Sequence, residues 1–434
     1  MFTKLFVVGI FLLGLGHAQL TFWTAEVQPE RLEVQEKIAA DFEAASGISV
    51  EIVPVEESAL AERVTAAFGA GDLPDVIGHP VSQTVGWAEA GILDIEAASE
   101  LISDLGVDSF ADGPLALVAL GEDYAAVPSS GWTQLLVYRQ DLFEEAGLEP
   151  PTTFANISAA VEALHSPPDM FGFVAATDAS NDYMMQVLEH FFLADGVALL
   201  DDEGNISLDR EKTVEVLEFY KGLADASPEG NLFWEQSREL FLAGQAAMIV
   251  WSPFILDELA GLRDEVPVTA TDDPTSSDLA SRTGFVTSIA GPSHPEGAGW
   301  ASASYWGITV DADTDAAKQF IEFMATEGYT DWLSMAPEGL FPVRTEFVDA
   351  WSQLDVGVDR RMPLGDIYSA EVIDDIVAGL EVGNRWAFSQ GEGALVSALY
   401  GTRTMAEAVR AFLDDERSAE ETVDLLQIEL EALR

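Results

Sequence analysis

The sequence predicts an α/β protein that opens on a parallel sheet with right-handed crossovers. Three observations carry this. Strand-like and helix-like apolar periods alternate over residues 20–78. Each helical stretch there ends on a glycine. The chain, 434 residues long with 48% apolar and 10% aromatic residues, is large enough to build more than one core.

Residues 20–24 alternate as a strand, and Pro29 suits the first turn of the helix that follows. Leu32, Ile38, Ala39, Phe42 and Ala45 lie near one face of that helix, which Gly47 ends. "ISVEIVPV" is a second strand, "SALAERVTAAFGAG" a second helix with Leu60, Val64, Ala67 and Phe68 on one side, and "PDVIG" a third strand. A βαβαβ order implies right-handed crossovers, and ligands then bind beyond the carboxyl ends of the strands. The loops "TAEVQP" and "GHPVSQ" lie at such ends. Further along, an extended run reaches Tyr138 and enters a helix, and residues 210–226 and 237–245 read as helices. "AAMIVWSPF" is a buried strand running into a loop. Residues 272–304 form a Gly/Pro/Ser/Asp-rich region; "YWGITV" is a strand, residues 315–328 a helix, and the tail an amphipathic helix.

The N-terminus "MFTKLFVVGIFLLGLGHAQ" has a basic residue, an apolar stretch and a small-residue site ending at Ala18. The apolar stretch is shorter than the roughly 20 residues a membrane span needs. It reads as a signal peptide over residues 1–18, with a soluble periplasmic or extracellular chain starting near Gln19. The sequence has no Cys, which excludes disulfides, thiolate metal sites and anchoring through a lipid-modified Cys. Five scattered His without H-x-x-x-H spacing give no metal site. No P-loop, G-x-S-x-G or dinucleotide fingerprint occurs, so no cofactor is expected. Asn156 and Asn205 begin glycosylation sequons of a kind that arises often by chance.

The charge is extreme: 20 basic against 76 acidic residues, a net −56. Nucleic acid and anionic membranes are repelled by such a surface. The acids are spread along the chain, which suits a solvated surface adapted to high salt.

The order of several segments resembles the bacterial extracellular solute-binding proteins that feed ABC transporters, the family that includes maltose-binding protein. The stretches are "LTFWTAEVQPER", "FGAGDLPDVIGHPVSQTVGWAEAGILDIE", "YAAVPSSGWTQLLVYRQDLFEEAGLEPPTTF", "FLAGQAAMIVWSPF", "YWGITVDADTDAAKQFIEFM", "EGLFPVR" and "GTRTMAEAVRAF". The resemblance implies two lobes, each a mixed, mostly parallel sheet flanked by helices, with the ligand in the cleft between them. It implies crossings near residues 125–128, 302–305 and 341–344. The first lobe is then 19–125 plus 306–340, and the second 127–303 plus 344–434. It further implies a monomeric, non-enzymatic carrier that hands a mono- or oligosaccharide to membrane permease subunits.

Aromatic rings cover the C–H faces of sugars, while carboxylates, amides and guanidinium groups bond hydroxyls. On the resemblance, Trp132, Trp306 and Trp386 face the cleft, with Tyr305, Trp251 and Phe254 beside them. Trp386, in "GNRWAF", is expected to be a stacking platform, its neighbour Arg385 donating to a hydroxyl or ring oxygen. Thr24, Glu26, Ser82, Gln83 and Ser130 are the remaining polar candidates. Trp23, Trp87, Trp234, Trp332 and Trp351 are read as core. Maltose-binding protein has Asp–Arg where an ungapped match puts Ser82–Gln83, which speaks against maltose itself. Two other classes stay open: a secreted glycoside hydrolase using two cleft carboxylates, and a carrier of another solute such as a polyamine, for which a cleft lined by acids rather than Trp and amides is the mark.

Overall fold

The computed structural model describes residues 19–390 and 392–434. The signal peptide expected over residues 1–18 lies outside the described residues. The opening unit is the anticipated one. Strands β1 (Gln19–Thr24), β2 (Ser49–Pro54) and β3 (Val76–Pro80) pair in parallel with β1 in the middle. Helices α1 (Pro29–Ser46) and α2 (Glu57–Ala70) cross between them. Gly47 and Gly71 close these helices in the left-handed conformation, φ 79° and 66°, where a side chain is disfavoured. Phe22, Phe42 and Val76 bury themselves on one face of the sheet, and the Phe22 ring meets Phe320 edge-on at 5.8 Å.

Two long antiparallel strands extend this sheet, and the short strands Ile289–Gly291 and Gly383–Asn384 bring it to seven. β4 (Val127–Thr133) runs beside β8 (His294–Ile308), with Ala301 opposite Thr133 and Trp306 opposite Val127. β8 pairs in turn with β3. A second sheet places β5 (Leu135–Arg139) between β6 (Met248–Trp251) and β7 (Thr283–Val286), all antiparallel. The chain passes from the first sheet to the second at Gln134. Up to that point β4 pairs with β8 on either side of a register shift at Ser129. Arg344 bridges to Phe110, and the Val343 carbonyl accepts the Ala111 backbone N–H at 2.8 Å.

β8 begins inside the Gly/Pro/Ser/Asp-rich region, taking up its last third. Its composition of Gly, Ala and Ser reflects close packing rather than a turn. A Cβ on Gly383 would sit 2.1 Å from the Cβ of Ala301, and one on Gly131 would sit 2.7 Å from Leu380. The helix Ala370–Val382 thus lies directly on the two crossing strands, and small residues are what allow it.

Candidate functional site

A main cavity between the lobes adjoins a smaller one on each side. The largest, of about 990 Å³, has the start of helix α3 (Val81–Glu89) on the first-lobe side, with Ser82, Gln83 and Trp87. The crossing strands supply its floor: Trp132 from β4, and Trp300 and Ser302 from β8. The second lobe supplies Asp182 and Gln186 from helix α4 (Asp182–Ala194), then Arg385, Phe388, and Tyr400 from helix α5 (Gly393–Thr402). Trp132 is partly exposed and leans on buried Trp300, ring centroids 4.8 Å apart.

A side cavity of about 140 Å³ lies where β1 ends. Its wall is the loop "TAEVQP". Thr24 is buried and its hydroxyl accepts the Glu26 backbone N–H at 3.1 Å, which turns the chain out of the strand. Glu26 forms an ion pair with Arg31, and Gln35 donates to the Glu26 carbonyl at 2.9 Å. Desolvation, then repulsion from Glu26, holds the Glu57 carboxyl above its usual range. His79 is fully buried at the back, and burial pushes its pKa down to about 4, so it is neutral. Its Nε2, the Ser129 hydroxyl and the Trp332 indole N–H, all bordering this cavity or its wall, are buried without a protein partner.

The third cavity, about 210 Å³, is bounded by Trp132, Gln134, Tyr183, Gln186, Trp251 and Phe254. Trp251 is held between Trp234, stacked at 4.7 Å with planes 13° apart, and Tyr183, edge-on at 5.6 Å. Arg238 covers the next face, 4.8 Å from the Trp234 ring, and pairs with Glu258 at 2.7 Å.

Of the residues singled out from the sequence, Thr24, Glu26 and Tyr305 border the side cavity. Ser82, Gln83, Trp132 and Arg385 line the main one, and Trp251 and Phe254 the third. Three do not reach the cleft. Ser130 is buried within β4 opposite Ser304. Trp306 is fully buried against Trp332 at 5.1 Å and Tyr329. It follows Tyr305 on one strand, and successive strand residues point to opposite faces. Trp386 is 2% exposed, packs on Phe192 at 5.4 Å, and donates its indole N–H to the Val197 carbonyl at 2.9 Å. Its partner in the expectation, Arg385, is the one that lines the cleft.

The reading of Trp23 and Trp351 as core agrees with their burial. Trp87 and Trp332 are also buried but border cavities, and Trp234 backs a cleft residue. Sequence reasoning missed Arg31, Glu57, Asp182, Gln186, Trp300 and Tyr400. Trp300 was hidden in a stretch with the composition of a loop. Asp182 and Gln186 belong to a helix whose other residues are all buried, so it carries little polar–apolar period to read.

Residues 26–331 match the family model described as bacterial extracellular solute-binding protein. The chain is 28% identical over 349 residues to a protein of Escherichia coli (strain K12) described as an ABC transporter periplasmic-binding protein, YcjN, covering 78% of this chain and 77% of that one. Among solved structures, the cyclic alpha-maltosyl-1,6-maltose binding protein from Arthrobacter globiformis superposes with a TM-score of 0.74 at 16% identity, covering 96% of this chain and 99% of that one. The sugar-binding protein MalE from Xanthomonas citri superposes with a TM-score of 0.73 at 20% identity, covering 96% and 97%.

Proposed function

Because the chain belongs to the bacterial extracellular solute-binding protein family, we propose that it binds a mono- or oligosaccharide in the cleft. Closing its lobes then delivers the sugar to the permease subunits of an ABC importer. The observation that carries this reading is Trp132. A partly exposed indole sits in the floor of the main cavity, with the amides of Gln83 and Gln186 on opposite lobes. A ring face flanked by amides suits the C–H face and hydroxyl edge of a pyranose.

A polyamine carrier is disfavoured by the same lining. Acids do not dominate it: Glu57 and Asp182 share the lining with Arg403, with Arg385 already paired to Glu189, and with the indoles of Trp87, Trp132 and Trp300 and the amides of Gln83 and Gln186. In this reading the protein is a carrier and not a hydrolase: it works as a soluble monomer outside the cytoplasm, its ligand leaving unchanged. Among the described residues no helix is long and apolar enough to cross a membrane. Native mass spectrometry of the purified protein tests the proposal. A bound mass matching an intact sugar supports it. A hydrolysed product, or a polyamine mass, overturns it.

A further inference from the structure

Arg385 is the one basic side chain of the main cavity that is also buried, at 8% exposure. It is held on every side. Its guanidinium lies 4.5 Å from the Trp300 ring, with the Phe388 and Tyr400 rings at 5.2 and 5.4 Å. Its Nε donates to Glu189 at 2.9 Å. Glu189 sits on α4 with no exposure at all, behind the cavity wall and not in it. The same carboxylate accepts the Trp386 backbone N–H at 2.8 Å and the Tyr400 hydroxyl. A carboxylate so deeply buried is tolerable only when paired and fully hydrogen-bonded.

The consequence concerns what the ligand meets. Arg385 borders the cleft, but its positive charge is paired from behind by Glu189. The other charged residues of the cavity, Glu57, Asp182 and Arg403, give no surplus of positive charge. The chain as a whole carries −56, a field that repels anions.

Resting on the carbohydrate reading above, we propose that Glu189 sets the charge selectivity of the cleft, so that it accepts neutral sugars and rejects acidic ones carrying a carboxylate. Arg385 supplies hydrogen-bond donors to hydroxyl or ring oxygens. Without Glu189 the same guanidinium would be a bare cation, the group that best recognises a uronate. Glu189 therefore acts through Arg385 as a positioning and charge-setting residue. Specificity of this kind comes from excluding the wrong ligand.

The test is calorimetry with matched sugars of one to three units: glucose and glucuronate, galactose and galacturonate, galactotriose and trigalacturonate. Wild type is expected to bind the neutral member of a pair at least about tenfold tighter. Glu189→Gln keeps the shape and removes the charge, and is expected to shrink that ratio by about tenfold or more. A merely structural role for Glu189 would lower both affinities together and leave the ratio alone, which would overturn the proposal. So would a wild type that prefers the acidic member. The double variant Glu189→Gln/Arg385→Gln removes both charges at once and is expected to restore the neutral preference. The wild-type ratio keeps the proposal open to refutation even if the single variant fails to fold. Binding of no member of any pair, together with no sugar mass in the native mass spectrum, overturns the carbohydrate reading itself, an outcome distinct from a wrong ratio.

Discussion

Trp386→Ala separates a structural from a ligand-binding role for this indole. In the structure the side chain is enclosed, with Phe192 against its face and Val197 accepting its N–H. Removing a buried Trp side chain costs about 3–5 kcal/mol through lost transfer energy and the cavity left behind. Stranding the Val197 carbonyl adds about 1 kcal/mol if no water replaces the bond. Were the indole a sugar platform, the loss would instead fall on binding, about 1.5–3 kcal/mol, or ten- to a hundredfold in affinity. The assay is urea denaturation followed by circular dichroism, with calorimetry of the folded variant against the co-purified ligand. The expected result is a clearly lowered denaturation midpoint with affinity changed by less than about threefold, since 1.4 kcal/mol is needed for tenfold. Trp386→Phe keeps most of the ring packing and loses only the bond to Val197, so it should be destabilised by much less. A Trp386→Ala protein with a wild-type midpoint and affinity reduced more than about tenfold would refute the burial argument.

Trp132→Ala should behave in the opposite way: affinity for the co-purified sugar falls by about ten- to a hundredfold, with a modest change in melting temperature, as titration calorimetry and a thermal melt will show. Burial raises Glu258 from 4.5 to about 7. The folded state therefore binds this proton more tightly than the unfolded state. Its contribution to stability is present below about pH 4.5 and is lost as pH rises through about 7, at up to about 1.4 kcal/mol per pH unit. The stability of wild type minus that of Glu258→Gln should thus decline across this window in urea titrations, and a flat difference would contradict it. Melting temperature should climb along a potassium chloride series, because the Debye length shrinks from about 10 Å at 0.1 M to about 3 Å at 1 M and relieves the self-repulsion of the −56 charge; a flat or falling curve removes the salt-adaptation reading. Small-angle scattering should record a smaller radius of gyration at saturating sugar, since closure requires contacts made only when both lobes touch the ligand.

The opening βαβαβ unit was legible because its signals are local. Gly47 and Gly71 mark helix ends through a backbone conformation that other residues avoid, and β1 pairs in parallel with both β2 and β3 across short crossovers. The part of β8 before Tyr305 was illegible for the opposite reason. β8 takes Gly, Ala and Ser because a helix seventy residues away in sequence lies on it, and no window of the sequence contains that neighbour. Local composition reports turn chemistry, whereas here it answered a packing demand.

The candidate site divides along the same line. Residues at the carboxyl ends of β1 and β3 fell in the cleft as the topology requires: Glu26 in one loop, Ser82 and Gln83 at the start of α3. The aromatics were harder, because a Trp beside a polar turn has the same sequence whichever way it points. In the pair Tyr305–Trp306 strand alternation turns the second residue into the core of the first lobe. In the pair Arg385–Trp386 the indole turns inward to Val197, and the guanidinium, usually the exposed partner, faces the cleft. What reverses that second pair is Glu189, which anchors both the Arg385 side chain and the Trp386 backbone from a helix nearly two hundred residues earlier. The polarity of the cleft wall is thus fixed by a residue that does not line it. Sequence periodicity registers such a residue only as one more acid among 76.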